Sequence, residues 1–92
     1  MSARVVVHTS QLCGWCWRAV RLLRRRGIDF EQRDVTGDRA ARARLAELTG
    51  RTSVPQVFID GRSIGGFTEL AALDDSGELA RLLAAPPPPP AA

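Results

Sequence analysis

The two cysteines of this 92-residue chain stand three apart, as Cys13-Gly14-Trp15-Cys16. They lie between the apolar run Val5-Val6-Val7 and a stretch with helical periodicity. Residues i and i+3 at a helix start share a face, so two thiols there can bond without rebuilding the backbone. A disulfide closing so short a loop removes little entropy from the unfolded chain, which points to a dithiol that cycles rather than one that staples. The unpaired N–H groups and the positive end of the helix dipole are expected to favour the Cys13 thiolate and lower its pKa. Cys16, one turn further in, is expected to be more buried and less nucleophilic. Cys13 then attacks a disulfide first, and Cys16 resolves the mixed disulfide by attacking Cys13.

Two other uses of paired cysteines fit less well. A tetrahedral zinc site needs two further ligands, and the chain holds a single histidine, His8, which is read as a strand residue without a role. A structural bridge of a small secreted framework is disfavoured because more cysteines are usual there and nothing in residues 1–4 resembles a signal peptide.

Two more clusters carry chemistry. In Thr52-Ser53-Val54-Pro55 the proline is either a rigid entrance to an edge strand or a cis-proline. The cis form would expose the Val54 N–H and C=O toward Cys13, where an extended thiol peptide could pair with them as an added strand. Gly65-Gly66-Phe67-Thr68 is either a tight strand-to-helix turn capped by Thr68 or a nest of N–H groups able to hold a carboxylate.

The elements that must position these residues follow from periodicity and punctuation. A β-branched strand is expected over 4–8, then a helix over 14–26 with Ala19, Val20, Leu22 and Leu23 inward, ended by Gly27 in a left-handed cap. A half-wet strand is expected over 28–34. Thr36-Gly37-Asp38 turns into a helix over 39–49 with an inward stripe of Ala40, Ala43, Leu45 and Leu48, stopped by Gly50. Asp60-Gly61 joins strands 57–60 and 62–65 as a type I′ hairpin. Helical pieces over 68–73 and 78–84 close the unit, with Ser76 as the cap of the second. One right-handed βαβ unit plus a hairpin gives an α/β fold, βαβαββα, with a four-stranded mixed sheet and helices on both faces.

Composition bounds the rest. The chain makes one small domain, expected over 1–85, with a proline-rich tail over 86–92 expected to be disordered and extended as polyproline II. The net charge of +3 comes from 13 arginines with no lysine. The cluster Arg18, Arg21, Arg24, Arg25 and Arg26 reads as a solvated helix face, and five aromatics with dispersed acidic residues argue against nucleic-acid binding. No apolar run reaches membrane-spanning length, so the chain is expected to be soluble; it is further expected to be cytoplasmic and monomeric.

Together the three motifs resemble a glutaredoxin of the small dithiol, bacterial kind. Cys13-Gly14-Trp15-Cys16, the run Thr52-Ser53-Val54-Pro55-Gln56-Val57-Phe58-Ile59-Asp60-Gly61 and Ile64-Gly65-Gly66 fall at that family's spacings, in one register from Val5 to about Leu83. Thioredoxin proper is less similar, because Leu12 rather than Trp precedes the first cysteine. The resemblance implies a thioredoxin-like fold, a cis Pro55, and glutathione as reductant of glutathionylated or disulfide-bonded proteins. It also implies a glutathione site built from Trp15, Arg51, Ser53, Val54, Pro55, Gly65, Gly66, Phe67 and Thr68. In it Val54 pairs with the ligand's cysteine, Phe67 and Thr68 hold its γ-glutamyl carboxylate, and Arg51 reaches its glycyl carboxylate.

Four positions depart from the family pattern. Ser10 stands where a lysine is usual, and Arg18 or Arg51 is the candidate substitute cation. Thr68 replaces an aspartate, Trp15 a tyrosine or phenylalanine, and Gly14 a proline. A different low-molecular-weight thiol is therefore one alternative to glutathione. The other is a [2Fe–2S] cluster held between two protomers, each giving Cys13 and a bound glutathione.

Overall fold

The computed structural model describes residues 4–87; the expected tail lies outside the described residues from 88 onward, as do residues 1–3. Eight elements follow in order: β1 (Val5–Thr9), α1 (Gly14–Arg25), β2 (Phe30–Asp34), α2 (Arg39–Thr49), β3 (Gln56–Ile59), β4 (Arg62–Gly65), α3 (Phe67–Asp75) and α4 (Glu78–Ala84). The sheet order is β2-β1-β3-β4, with β1 parallel to β2 and the other pairs antiparallel. This is the expected mixed sheet of the thioredoxin-like fold, with a separate fourth helix at its end.

The period of two along β1 sorts its side chains between faces. Val5, Val7 and Thr9 are buried, while Val6 and His8 are half-covered on the opposite side. Val5 and Val7 join Ala19 and Leu23 of α1, Val57 and Ile59 of β3, Leu70 of α3 and Leu79 of α4 in one core cluster. Each fully buried aliphatic side chain there contributes about 1.5–3 kcal/mol. On the other face His8 meets Phe58 edge-on, ring centroids 5.4 Å apart, and burial lowers the pKa of the imidazole, with Arg33 adding to the effect.

The punctuation residues act through specific bonds. Gly27, at φ +66°, lets its own N–H reach Arg24 O while Ile28 N–H reaches Leu23 O. That paired closure draws residues 28 and 29 into the helix exit, so β2 starts at Phe30 rather than at 28. Asp38 caps α2 by accepting the Ala41 N–H at 2.9 Å. Asp60 and Gly61 both have positive φ, as a type I′ hairpin requires.

The inward stripe expected for α2 is corrected. Ala40 and Ala43 are exposed, and Leu48 keeps 62% of its surface in solvent. Leu45 is buried, flanked by the half-covered Ala41, Ala46 and Thr49. Apolar residues lie nearly all round this helix, so the same 3.6 period can be phased in more than one way, and the Asp38 cap and the sheet choose among them.

Candidate active site

The chain leaves β1 at Thr9 and reverses through a short loop before α1. Leu12 sits at φ +58° with its side chain fully exposed, a backbone region that a branched side chain seldom adopts. The loop is tied down because Gln11 N–H donates to Thr36 Oγ1 and Thr36 N–H donates to Asp34 Oδ1, both at 2.8 Å. The Thr36 hydroxyl, and after it the Thr36 backbone N–H, hold the Asp34 carboxyl below its ordinary range.

Cys13 emerges from this loop as the N-cap of α1. Its Sγ accepts the Cys16 N–H at 3.1 Å, the place a serine or aspartate oxygen takes at an ordinary cap. The same sulfur lies 3.8 Å from the carbonyl oxygen of Val54. Both cysteines are free thiols, Cys13 half-buried and Cys16 only 3% exposed. Burial pushes the Cys16 thiol up to about 12, and the hydrogen bond and charge of Cys13 add to that rise, against smaller opposing effects of the Ser10 backbone and Arg42. The two sulfurs are therefore unequal: one caps a helix at the surface, the other stays protonated beneath it.

The Val54–Pro55 peptide is cis. Pro55 is buried and Val54 half-buried, while Ser53 is exposed and its carbonyl accepts a bond from Gln56 Nε2 at 2.9 Å. Gln56 itself is fully buried, and its Oε1 has no partner. On the far side of the loop is Gly66, where an added Cβ would stand 3.2 Å from Pro55 O. The Gly65-Gly66 turn thus presses against the cis-proline loop and brings α3 beside α1. Phe67 then meets Trp15, with ring centroids 5.7 Å apart, to form an aromatic wall next to Cys13.

Thr68 is not the cap of α3, contrary to the sequence expectation. The helix begins one residue earlier with Gly66 as N-cap, and Thr68 is exposed in its first turn. Glycine offers no capping side chain, and the orphan donor is met instead by Glu69, whose Oε1 accepts the Gly66 N–H at 3.1 Å. That carboxylate also takes Arg51 Nη1, and the two partners hold it below the ordinary glutamate range, the Gly66 amide most. The N–H groups of Phe67 and Thr68, in the first turn, have no intrahelical acceptor. Likewise Ser76 ends α3 and Gly77, at φ +81°, is the N-cap of α4, although Ser76 Oγ still accepts the Glu78 N–H at 3.3 Å.

The dithiol, Trp15, Val54, Pro55, Gly66 and Phe67 thus converge on one patch. Neither cation considered as a stand-in at Ser10 is unengaged: Arg18 lies over the Trp15 ring at 4.8 Å, and Arg51 is paired with Glu69. Glu69 and Gln56 were missed in the sequence. A glutamate three residues after a potential N-cap is a capping-box signal that could have found Glu69. Among the described residues, no three His, Cys, Asp or Glu side chains group closely enough to hold a metal by themselves.

The glutaredoxin family model matches residues 5–64. A probable glutaredoxin of Synechocystis is 42% identical over 84 residues, covering 90% of this chain and 96% of its own. Glutaredoxin 3 of Escherichia coli K12 is 42% identical over 81 residues, covering 88% and 98%. Among solved structures, a buckwheat glutaredoxin–glutathione complex superposes with a TM-score of 0.82 at 29% identity, over 89% of this chain and 77% of that one. The solution structure of a Brucella melitensis glutaredoxin gives 0.79 at 38% identity, over 89% of each. With the family model, the sequence relatives and the superposed folds in agreement along most of its length, the chain belongs to the glutaredoxin family of thiol–disulfide oxidoreductases.

Proposed function

We propose that this protein reduces glutathione mixed disulfides and protein disulfides with glutathione as the electron donor. The observation that carries the reading is the position of Cys13 Sγ, which caps α1 through the Cys16 N–H and faces the Val54 carbonyl across the cis-proline loop. The bond from that amide, at 3.1 Å, fixes the sulfur at the mouth of the helix, where an incoming disulfide can reach it.

In the monothiol reaction the Cys13 thiolate attacks the glutathionyl sulfur of a modified protein. A Cys13–glutathione disulfide forms, the protein thiolate leaves, and it takes up a proton. A second glutathione thiolate then attacks the glutathionyl sulfur, releasing oxidised glutathione and restoring the Cys13 thiolate. With a protein disulfide, Cys13 forms the mixed disulfide and Cys16 gives up its proton to attack Cys13 Sγ. The protein leaves as a dithiol, and two glutathione molecules reduce the resulting Cys13–Cys16 bridge. A buried thiol with a pKa near 12 is a poor nucleophile until the mixed disulfide removes the neighbouring charge, so Cys16 does not compete for the first attack.

The ligand side is supported by the backbone it would meet. Val54 offers an edge for pairing with the glutathione cysteine, with Ser53 and Pro55 shaping the loop. Gly65 and Gly66 keep side chains out of the way, and the first-turn amides at Phe67 and Thr68 suit the γ-glutamyl carboxylate. Trp15 and Phe67 supply the apolar wall. Arg51 serves the glycyl carboxylate, sharing or surrendering its contact with Glu69. That a buckwheat relative of the same fold was solved with glutathione adds to this reading. A reducing compartment such as the cytoplasm would keep the dithiol supplied with electrons.

Serine replacements test the roles. Cys13→Ser is expected to abolish reduction of the mixed disulfide of glutathione and 2-mercaptoethanol, whereas Cys16→Ser keeps most of it and loses reduction of protein disulfides. Equal loss in both variants would contradict the monothiol step. A coloured dimer after anaerobic reconstitution with iron, sulfide and glutathione would instead favour the cluster-bridged form.

A further inference from the structure

Trp15 and Trp17 are two residues apart on α1, about 200° around the helix axis, so they stand on nearly opposite sides of it. Trp15 faces Phe67 and the proposed glutathione side. Trp17 faces away and keeps 60% of its surface in solvent. A cleft lined by Leu12, Cys13, Cys16, Trp17, Val20 and Arg24 opens from the dithiol toward it. Trp17, Val20 and Arg24 also line an adjoining groove of about 410 Å³, completed by Arg21 and Arg25.

The charges on this face lack partners of opposite sign. Helix α1 carries no acidic residue. Arg26, at its end, is paired with Asp74, but Arg18, Arg21, Arg24 and Arg25 make no ion pair among the described residues. Instead the Arg21 guanidinium lies 5.1 Å from the Trp17 ring centroid and that of Arg24 lies 5.9 Å from Phe30. Stacking of this kind fixes the cations in place while leaving their edges free to bind carboxylates.

We infer that the groove formed by Trp17, Arg21, Arg24 and Arg25 is the docking surface for an acidic segment flanking the target cysteine of a protein substrate. The inference rests on the reaction proposed above and names the substrate class for that site. Glutathione would occupy one side of Cys13 and the substrate chain the other. Arg21 and Arg25 lie 8 and 12 residues beyond Cys13, about 12 and 18 Å along the helix at 1.5 Å per residue. An extended peptide covers those distances in about four to five residues. Carboxylates at that spacing from the target cysteine would therefore meet the guanidiniums. A polypeptide is favoured over a nucleic acid because the groove is short and runs directly into the cleft at the two sulfurs, where only a thiol or disulfide can react.

The test uses a synthetic peptide with one glutathionylated cysteine followed by glutamates at positions three to six, against the same peptide carrying glutamines. At low ionic strength the wild-type protein is expected to prefer the acidic peptide by about tenfold in kcat/KM, and raised salt should erase the difference. Arg21→Gln/Arg25→Gln should bring the ratio near one, with the rate on the glutathione–mercaptoethanol disulfide unchanged. Equal wild-type rates on both peptides would overturn the docking surface while leaving the reaction intact. Shift mapping with a sulfur-free acidic peptide separates the remaining case. If no glutathione disulfide is turned over but the Trp17 indole and Arg21 signals move, the surface stands and the reaction fails. Binding of a single-stranded oligonucleotide to this face in preference to the acidic peptide would also overturn the inference.

Discussion

Glu69 places a negative charge where, in the proposed reaction, the carboxylates of glutathione would find donors. It occupies both Arg51 and the Gly66 amide, and only the second contact is needed to start α3. Glu69→Gln keeps an acceptor for that amide and removes the charge. We expect the KM for glutathione to fall two- to fivefold, the factor for a surface charge pair worth about 0.5–1 kcal/mol, with little change in kcat. Steady-state kinetics with varied glutathione checks this, and a rise in KM would show that Glu69 orients Arg51 rather than competing for it. The pairing was not legible beforehand because it joins residues 18 apart in sequence. Cys13 and Cys16, by contrast, carry their chemistry in local spacing and could be read directly, whereas the cis form of Pro55 followed only from the family resemblance.

Two neighbouring glycines make opposite demands at the junction between β4 and α3. Gly65 has φ +107°, outside the region open to side chains, and a Cβ there would collide with the Glu69 carboxylate. Gly66 has φ −96°, which alanine tolerates, but its Cβ would crowd Pro55 O. Gly65→Ala should therefore cost about 1–3 kcal/mol of stability and Gly66→Ala about 1 kcal/mol. In return, Gly66→Ala should weaken glutathione turnover out of proportion to its stability loss, because it shifts the cis-proline loop. Urea denaturation read beside kinetics checks the order, and its reversal would mean that the loop, not the glycine backbone, bears the strain. Elements bounded by local signals were read well: the hairpin by Asp60-Gly61, α1 by Gly27, α2 by Asp38 and Gly50. Where the signal depended on a neighbour, reading failed. The face of α2 was set by the sheet beneath it, and the start of α3 by a carboxylate one turn ahead.

Across the whole molecule, Arg4 joins three distant parts. Its guanidinium holds both Asp60 carboxylate oxygens, at 2.9 and 2.8 Å, and donates to the carbonyls of Leu82, Leu83 and Ala85 at the end of α4. The pair holds the Asp60 carboxyl below its ordinary range, so folding favours the ionised form. The stabilisation is present above the unfolded value of about 3.9 and is lost as pH falls through the lower folded one. Asp60→Asn should thus lower Tm at pH 7, with the gap to wild type closing in acid below that range. A gap that persisted in acid would assign the effect to the hairpin turn instead. Because one arginine gathers the start of β1 and the end of α4, chain attached before Arg4 and after Ala85 leaves from one place, about 16 Å of strand from the end that leads to Cys13. A short linker could join those two points and the backbone be reopened at the Asp60-Gly61 turn, so a circularly permuted protein should still present its sulfurs, and reporters fused at either terminus should not obstruct them.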